Sequence, residues 1–249
     1  QHGGHFGIDK FCFHEDHCVK ISDKFISWGW EDISTPKITP IGIFKSLGQN
    51  VGYKKNGNAL LTLTAVPRYS YHIFSGPISG QYLDYFEDQK RFLVTLPKAI
   101  RKKITVRIDH NDYSREQNLR WDGLFPDIKI DVGEKLFQNV VENSRLCIST
   151  FNSTTYLETL SWNVPTIVFW DPGHHDLKDE VKEYFDLLNS VGIFFTKPEY
   201  AAQQMVNIWD NVGSWWESKD VQDARKEFCH IFARIINDPM AELSRNLNK

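Results

Sequence analysis

The chain has 249 residues, enough for one large domain or two small ones, and its 41% hydrophobic and 24% charged residues exclude a disordered or collagen-like chain. Lys and Arg number 29 against 32 Asp and Glu, so the net charge of −3 leaves no basic face for duplex nucleic acid. Aromatic residues reach 14%, so ring packing must carry much of the core.

Cys12, Cys18, Cys147 and Cys229 are scattered, which fits reduced core thiols in a cytoplasmic protein better than a disulfide framework. Cys12 and Cys18 beside His14 and His17 invite a zinc reading, but the spacing matches no structural zinc pattern, so neither metal nor cofactor is expected. Apolar runs stay well short of the roughly 18–20 residues of a membrane helix. The chain opens on Gln1-His2-Gly3-Gly4-His5, a glycine-rich loop of the kind that follows a strand, with no initiator Met and no signal peptide. It reads as a piece of a longer protein, with residues 1–57 the remnant of an amino-terminal domain and its linker, and 58–249 a nucleotide-binding domain.

Beyond the polar cluster Lys54–Asn58, apolar runs and helical patterns alternate. Ala59–Val66 predicts a buried strand, Gln81–Lys102 a long amphipathic helix bent near Pro97, Lys103–Ile108 a second strand and Ile128–Asp131 a third. A helix over Glu134–Asn143, a strand over Leu146–Thr150, a helix over Ser153–Ser161 and a strand over Thr166–Trp170 follow. A helix over Asp176–Ser190, a strand at Ile193–Phe195, and helices over Pro198–Trp209 and Val221–Ile236 complete the pattern. This alternation predicts an α/β protein, a Rossmann-like parallel sheet with helices on both faces, binding ligands beyond the carboxyl ends of its strands.

Three loops carry candidate chemistry. After the fourth strand, Thr150, Asn152, Ser153, Thr154 and Thr155 crowd hydroxyl and amide groups around a helix start, where free N–H groups and the helix dipole attract an anion. Plain N-capping by Asn152 or Ser153 is the simpler alternative. Glu158, one turn on, suits either ribose hydroxyls or a local capping role. After the second strand, His110 with Asp109 or Asp112 makes a candidate acid/base pair, and Arg107 and Arg120 candidate anion clamps. In the opening segment, Gly3 and Gly4 allow close approach to a ligand, and a carboxylate such as Glu15 or Asp16 is a candidate base or nucleophile.

Gln1-His2-Gly3-Gly4, the Trp28-Gly29-Trp30 run, Pro67-Arg68-Tyr69, Arg107–Tyr113, Arg120-Trp121, Asn152–Leu160, Asn163–Trp170 and Trp215-Trp216 together resemble a family of bacterial surface-polysaccharide transferases. They are more distantly similar to the capsule and O-antigen Kdo transferases, which use CMP-activated sugars. The resemblance implies the carboxyl-terminal half of a GT-B-like, metal-independent glycosyltransferase that moves a sugar from a nucleotide-activated donor, CMP-sugar favoured, to a surface-polysaccharide acceptor. Its implied partners are the donor and a glycan or glycolipid, with room for peripheral contact with the cytoplasmic membrane face and none for nucleic acid. The expected site joins Asn152, Ser153, Thr154, Thr155, Glu158, Arg107 and Arg68 for nucleotide and phosphate to His110, Asp112, Glu15 and His2 for catalysis, with the helix mouth and His110 on one cavity. The alternative is a nucleotide- or phosphate-binding module without catalysis.

Overall fold

The computed structural model describes residues 1–46, 48–69 and 75–247. The first fifty residues form α1 (Phe13–Ile21) and a parallel pair of short strands, β1 (Phe25–Ser27) and β2 (Ile38–Pro40). The main sheet follows with β3 (Asn58–Thr62), β4 (Ile104–Arg107), β5 (Lys129–Asp131), β6 (Ser144–Ser149), β7 (Thr166–Phe169) and β8 (Phe194–Phe195). Between and after these strands lie α2 (Gln81–Thr95), α3 (Lys98–Arg101), α4 (Gln117–Leu124), α5 (Phe137–Val141), α6 (Thr154–Ser161), α7 (Lys182–Ser190), α8 (Pro198–Ile208), α9 (Val212–Trp216), α10 (Lys219–Phe232) and α11 (Pro239–Leu247).

All six strands of the main sheet run parallel, in the order β5-β4-β3-β6-β7-β8. Counted within this sheet the order is 3-2-1-4-5-6, the doubly wound arrangement whose direction of travel reverses between β3 and β6. Strand residues alternate between the two faces, as the period of two demands. Ala59, Leu61, Leu146, Ile148, Ile167 and Phe169 pack with α2 and α8, whereas Val168 joins the cluster built on α6, α7 and α10. Phe6, Ile8, Phe25, Trp28 and Trp30 from the start of the chain belong to that second cluster, so the opening segment and these helices share one apolar core.

The predicted strands all form, with trimmed ends. β3 stops at Thr62, and Leu63 makes one last sheet bond, its N–H donating to the Arg107 carbonyl at 3.0 Å. The long helix breaks at Pro97 into α2 and α3, as a proline lacking an N–H requires. The helix expected from Asp176 begins later, because residues 176–178 lie antiparallel to residues 8–10. There Lys10 N–H donates to the Asp176 carbonyl at 2.9 Å, and Lys178 N–H to the Ile8 carbonyl at 3.0 Å. The helix expected over Glu134–Asn143 shrinks to α5. Among the described residues no helix is long and apolar enough to cross a membrane.

Candidate functional site

The reversal point between β3 and β6 is braced from below. Tyr85, buried on α2, accepts from the Thr64 N–H at 2.9 Å and meets the Thr150 hydroxyl at 2.7 Å; Thr150 in turn donates to the Thr62 carbonyl at 2.9 Å. This chain ties the ends of both strands together and fixes where the Phe151–Ser153 loop emerges. Burial pushes the Tyr85 phenol far up, so it stays neutral.

Immediately above lies a cavity of about 190 Å3, lined by Thr64 and Val66 after β3, Phe151 and Asn152 after β6, His175 after β7, and His5, Asp9, Cys12 and His14 from the opening segment. It occupies the position where open parallel sheets bind ligands. A larger open groove of about 850 Å3 passes between Lys54 and Lys129 and shares none of these residues.

The helix mouth beside the cavity is α6. Ser153 is its N-cap in extended backbone, its hydroxyl accepting from Thr155 N–H at 3.4 Å, and Ser153, Thr154 and Thr155 all remain partly exposed. Thr154 Oγ1 accepts from Gly4 N–H at 3.2 Å. A Cβ on Gly4 would stand 2.5 Å from the Ser153 carbonyl carbon and the Thr154 nitrogen, so only glycine lets the opening loop lie on the helix start. Gln1 orders that loop, its Oε1 accepting from Trp30 Nε1 at 2.8 Å and from Trp28 N–H at 2.9 Å.

Asn152 itself is differently employed from the expectation. Its Nδ2 donates to Asp9 Oδ1 at 2.6 Å, and its Oδ1 accepts from the Tyr156 hydroxyl at 2.8 Å. Both ends of the amide are held by buried partners, so the side chain is a strut between the two segments and not a phosphate ligand. Burial pushes the Asp9 carboxyl well up, against the pull of its Asn152 hydrogen bond.

Other expected site residues are likewise engaged. Glu15 is buried, accepting from Gly7 N–H at 2.5 Å and pairing with Lys178 at 2.8 Å, which leaves no free carboxylate for a nucleophile or base. Asp112 accepts from the backbone N–H groups of Glu116 and Gln117 at 2.8 Å each. Burial acts upward on its pKa, but these N–H groups hold it below the usual carboxylate range, as the start of α4 requires. Arg107 bridges Asp131 at 2.6 Å and the Lys135 carbonyl at 2.9 Å, tying β4 to the β5 edge. Glu158 points at Lys45, 3.1 Å away, and burial is the main cause of its raised pKa; it does not line the cavity.

His110 and His2 are exposed, and Arg68 is exposed and donates to the Ser114 carbonyl at 3.4 Å. His110 Nδ1 is 3.4 Å from Asp109 and its Nε2 3.0 Å from Asn111; it stands on the loop after β4 and does not share the cavity beside Asn152. Tyr113, Ser114 and Glu116 in the same loop take left-handed backbone, strain of a kind that collects at functional loops.

Two histidines on the cavity, His5 and His175, are given no role by the motifs. Burial, followed by the charges of His14 and His2, pushes His5 down to about 4. His175 is 3% exposed, pushed down to about 3 by burial and then by His174, with the Ser75 main chain opposing. Its ring centroid lies 5.3 Å from that of Trp170, and neither ring nitrogen has a hydrogen-bond partner at bonding geometry. Asp9 lies between Ile8 and Lys10, and His175 between His174 and Asp176, so neither stands out by spacing. Among the described residues no group of three or more His, Cys, Asp or Glu is arranged to hold a metal ion.

The model of one protein family, described as LIC12162 family transferase, matches residues 1–247. The chain belongs to the LIC12162 family of transferases. No curated protein matches it. Among solved structures, this family member is similar to the wall teichoic acid polymerase TagF, with 12% identity, a TM-score of 0.47, and coverage of 94% of this chain and 59% of that one. It is also similar to the spinosyn rhamnosyltransferase SpnG, at 13% identity and TM-score 0.45 over 88% of this chain and 54% of that one. WaaG, a glycosyltransferase involved in lipopolysaccharide biosynthesis, matches at 10% identity and TM-score 0.41, over 83% and 57% of the two chains. The chain spans a little over half the length of these structures.

Proposed function

We propose that this transferase is a glycosyltransferase and that the chain forms the nucleotide-binding half of a GT-B-like enzyme, residues 58–249 supplying the doubly wound domain and residues 1–57 the end of the preceding one. The observation that carries the reading is the start of α6, set at the sheet's reversal point with three partly exposed hydroxyl residues and the Gly3-Gly4 loop against it. Helix N–H groups and dipole there suit the phosphate of a nucleotide-activated sugar, with Ser153, Thr154 and Thr155 as ligands and the exposed Arg68 as a candidate cation. That field makes a resident metal unnecessary in this reading. A CMP-sugar is the favoured donor and a surface glycan or glycolipid the acceptor, with the reaction at the cytoplasmic membrane face.

In the transfer, an acceptor hydroxyl oxygen bonds to the anomeric carbon while the bond from that carbon to the phosphate oxygen breaks, its electron pair leaving with the nucleotide. The acceptor proton passes to an imidazole. His110, oriented by Asp109, and His2 are the exposed candidates. Dipoles fixed at the phosphate act on charge that grows as the bond breaks.

Titration calorimetry of the full-length protein with CMP, UDP, GDP and ADP tests the nucleotide site, and absence of binding to all four overturns the proposal. Donor hydrolysis separates the enzyme from a binding module. His110→Ala and His2→Ala are expected to reduce turnover 100-fold or more in at least one case, while nucleotide affinity is kept. The second reading, binding without catalysis, draws on the absence of His110 from the described cavity lining and predicts affinity with no hydrolysis.

A further inference from the structure

The cavity beside α6 differs in character from the helix mouth. Its walls carry Phe13, Val66, Pro77 and Phe151, with no Lys or Arg among the described lining residues. Into this apolar space projects His175, buried, with the Ser75 main chain acting on it but neither ring nitrogen at hydrogen-bonding geometry to a partner. Buried polar groups are seldom left without partners, so an orphaned imidazole on a cavity wall marks the place of a missing one. The ring is neutral at physiological pH, because burial holds it near 3. A neutral imidazole offers one donor and one acceptor, which is the complement of a hydroxyl and a poor match for a phosphate. Asp9 beside it adds no positive charge. The volume of about 190 Å3 lies below the roughly 300–1,000 Å3 of sites that enclose drug-sized ligands, so it admits one ring and not a whole nucleotide-sugar.

Resting on the glycosyltransferase reading, we propose that this cavity is a saccharide subsite that receives one uncharged, hydroxyl-bearing sugar ring, with His175 hydrogen-bonding its hydroxyls and Phe13 and Phe151 facing its C–H surfaces. An acidic ring such as Kdo is disfavoured in this cavity because its described lining holds no Lys or Arg to meet the carboxylate, so the subsite suits a ring of the acceptor and not that of a CMP-activated donor. Phosphate stays outside, on α6.

Saturation-transfer NMR on the full-length protein tests this with the methyl α-glycosides of glucose, galactose, mannose and rhamnose, and with Kdo as the acidic counter-probe. Wild type is expected to saturate at least one neutral glycoside and not Kdo. His175→Leu should reduce that transfer at least fivefold and His175→Gln should restore part of it, while CMP and pyrophosphate titrate as in wild type. Melting temperature guards the fold: His175→Leu removes an unpaired polar group, so it should melt at or above wild type. The proposal is overturned if no neutral glycoside contacts the protein, if Kdo binds in preference, if His175→Leu binds as wild type does, or if His175→Leu melts lower and thereby marks the ring as a packing element. Nucleotide binding without glycoside contact overturns this inference alone. Loss of both in the wild-type protein overturns the glycosyltransferase reading with it.

Discussion

Asn152 Nδ2 donates to Asp9 Oδ1 at 2.6 Å, joining residues 143 positions apart in the chain at the point where the sheet reverses direction. With the Tyr156 hydroxyl on its other end, Asn152 aligns the opening segment, the β6 loop and the first turn of α6 in one buried network. Such networks are strong when complete and fragile when one member is removed.

Asn152→Ala leaves the Asp9 carboxyl and the Tyr156 hydroxyl unpaired in the interior. A loss of about 2–4 kcal/mol is expected, read as a lower urea midpoint at unchanged slope. Ser153→Ala, which removes a long capping bond and a partly exposed hydroxyl contact to Thr155, should lose about 1 kcal/mol or less. Equal effects from the two substitutions would refute the strut role.

Two titrations oppose one another. His175 falls to about 3 when folded against an ordinary 6.5, so the unfolded chain binds the extra proton between those values. Stability from this group therefore rises with pH through about 3–6.5 and is complete above it; His5, pushed to about 4, has the same sign. Asp9 is raised above 3.8, so the folded state keeps a proton that the unfolded chain has released, and its contribution falls as pH rises from 3.8 through the folded value. Urea midpoints measured from pH 4 to 8 should show a shallower acid loss in His175→Leu and a steeper rise with pH in Asp9→Asn. The reverse pair of changes would contradict the signs.

Gly4→Ala tests the close approach of the opening loop to α6. The added methyl meets backbone atoms at 2.5 Å, which cannot move without shifting the helix start. A loss of about 1–3 kcal/mol is expected, together with weaker nucleotide binding. A thermal melt and a CMP titration that both match wild type would show the loop to be irrelevant to the mouth.

Asp112→Ala should behave as the loss of a helix cap, about 1 kcal/mol in stability, with turnover per folded molecule retained. Asp112→Asn, which keeps acceptor capacity, should recover part of it. A drop in turnover comparable to that of His110→Ala at unchanged stability would instead put Asp112 in the chemistry.

Much of the sheet was legible because its strands are short apolar runs at regular intervals, and a proline marked the break between α2 and α3. The helices α1 and α4 were not, since His14, Glu15, Asp16 and His17 in the first and Gly123 in the second obscure any apolar stripe. The α6 mouth was readable from its hydroxyl cluster. What individual polar letters do was not. Asn152, Glu15 and Arg107 each satisfy a partner distant in sequence, and such pairings exist only once the chain has folded, whereas Asp112 caps the start of α4 a few residues on. His175 was passed over for the same reason: its significance lies in the partners it lacks.

Trp170, itself buried, stands 5.3 Å from His175, centroid to centroid. A protonated imidazole quenches indole emission and a neutral one does so far less. The site therefore contains its own optical reporter: the fluorescence difference between wild type and Trp170→Phe should dim as the histidine gains a proton in acid and shift in colour when a ligand displaces water from the pocket, without any attached dye.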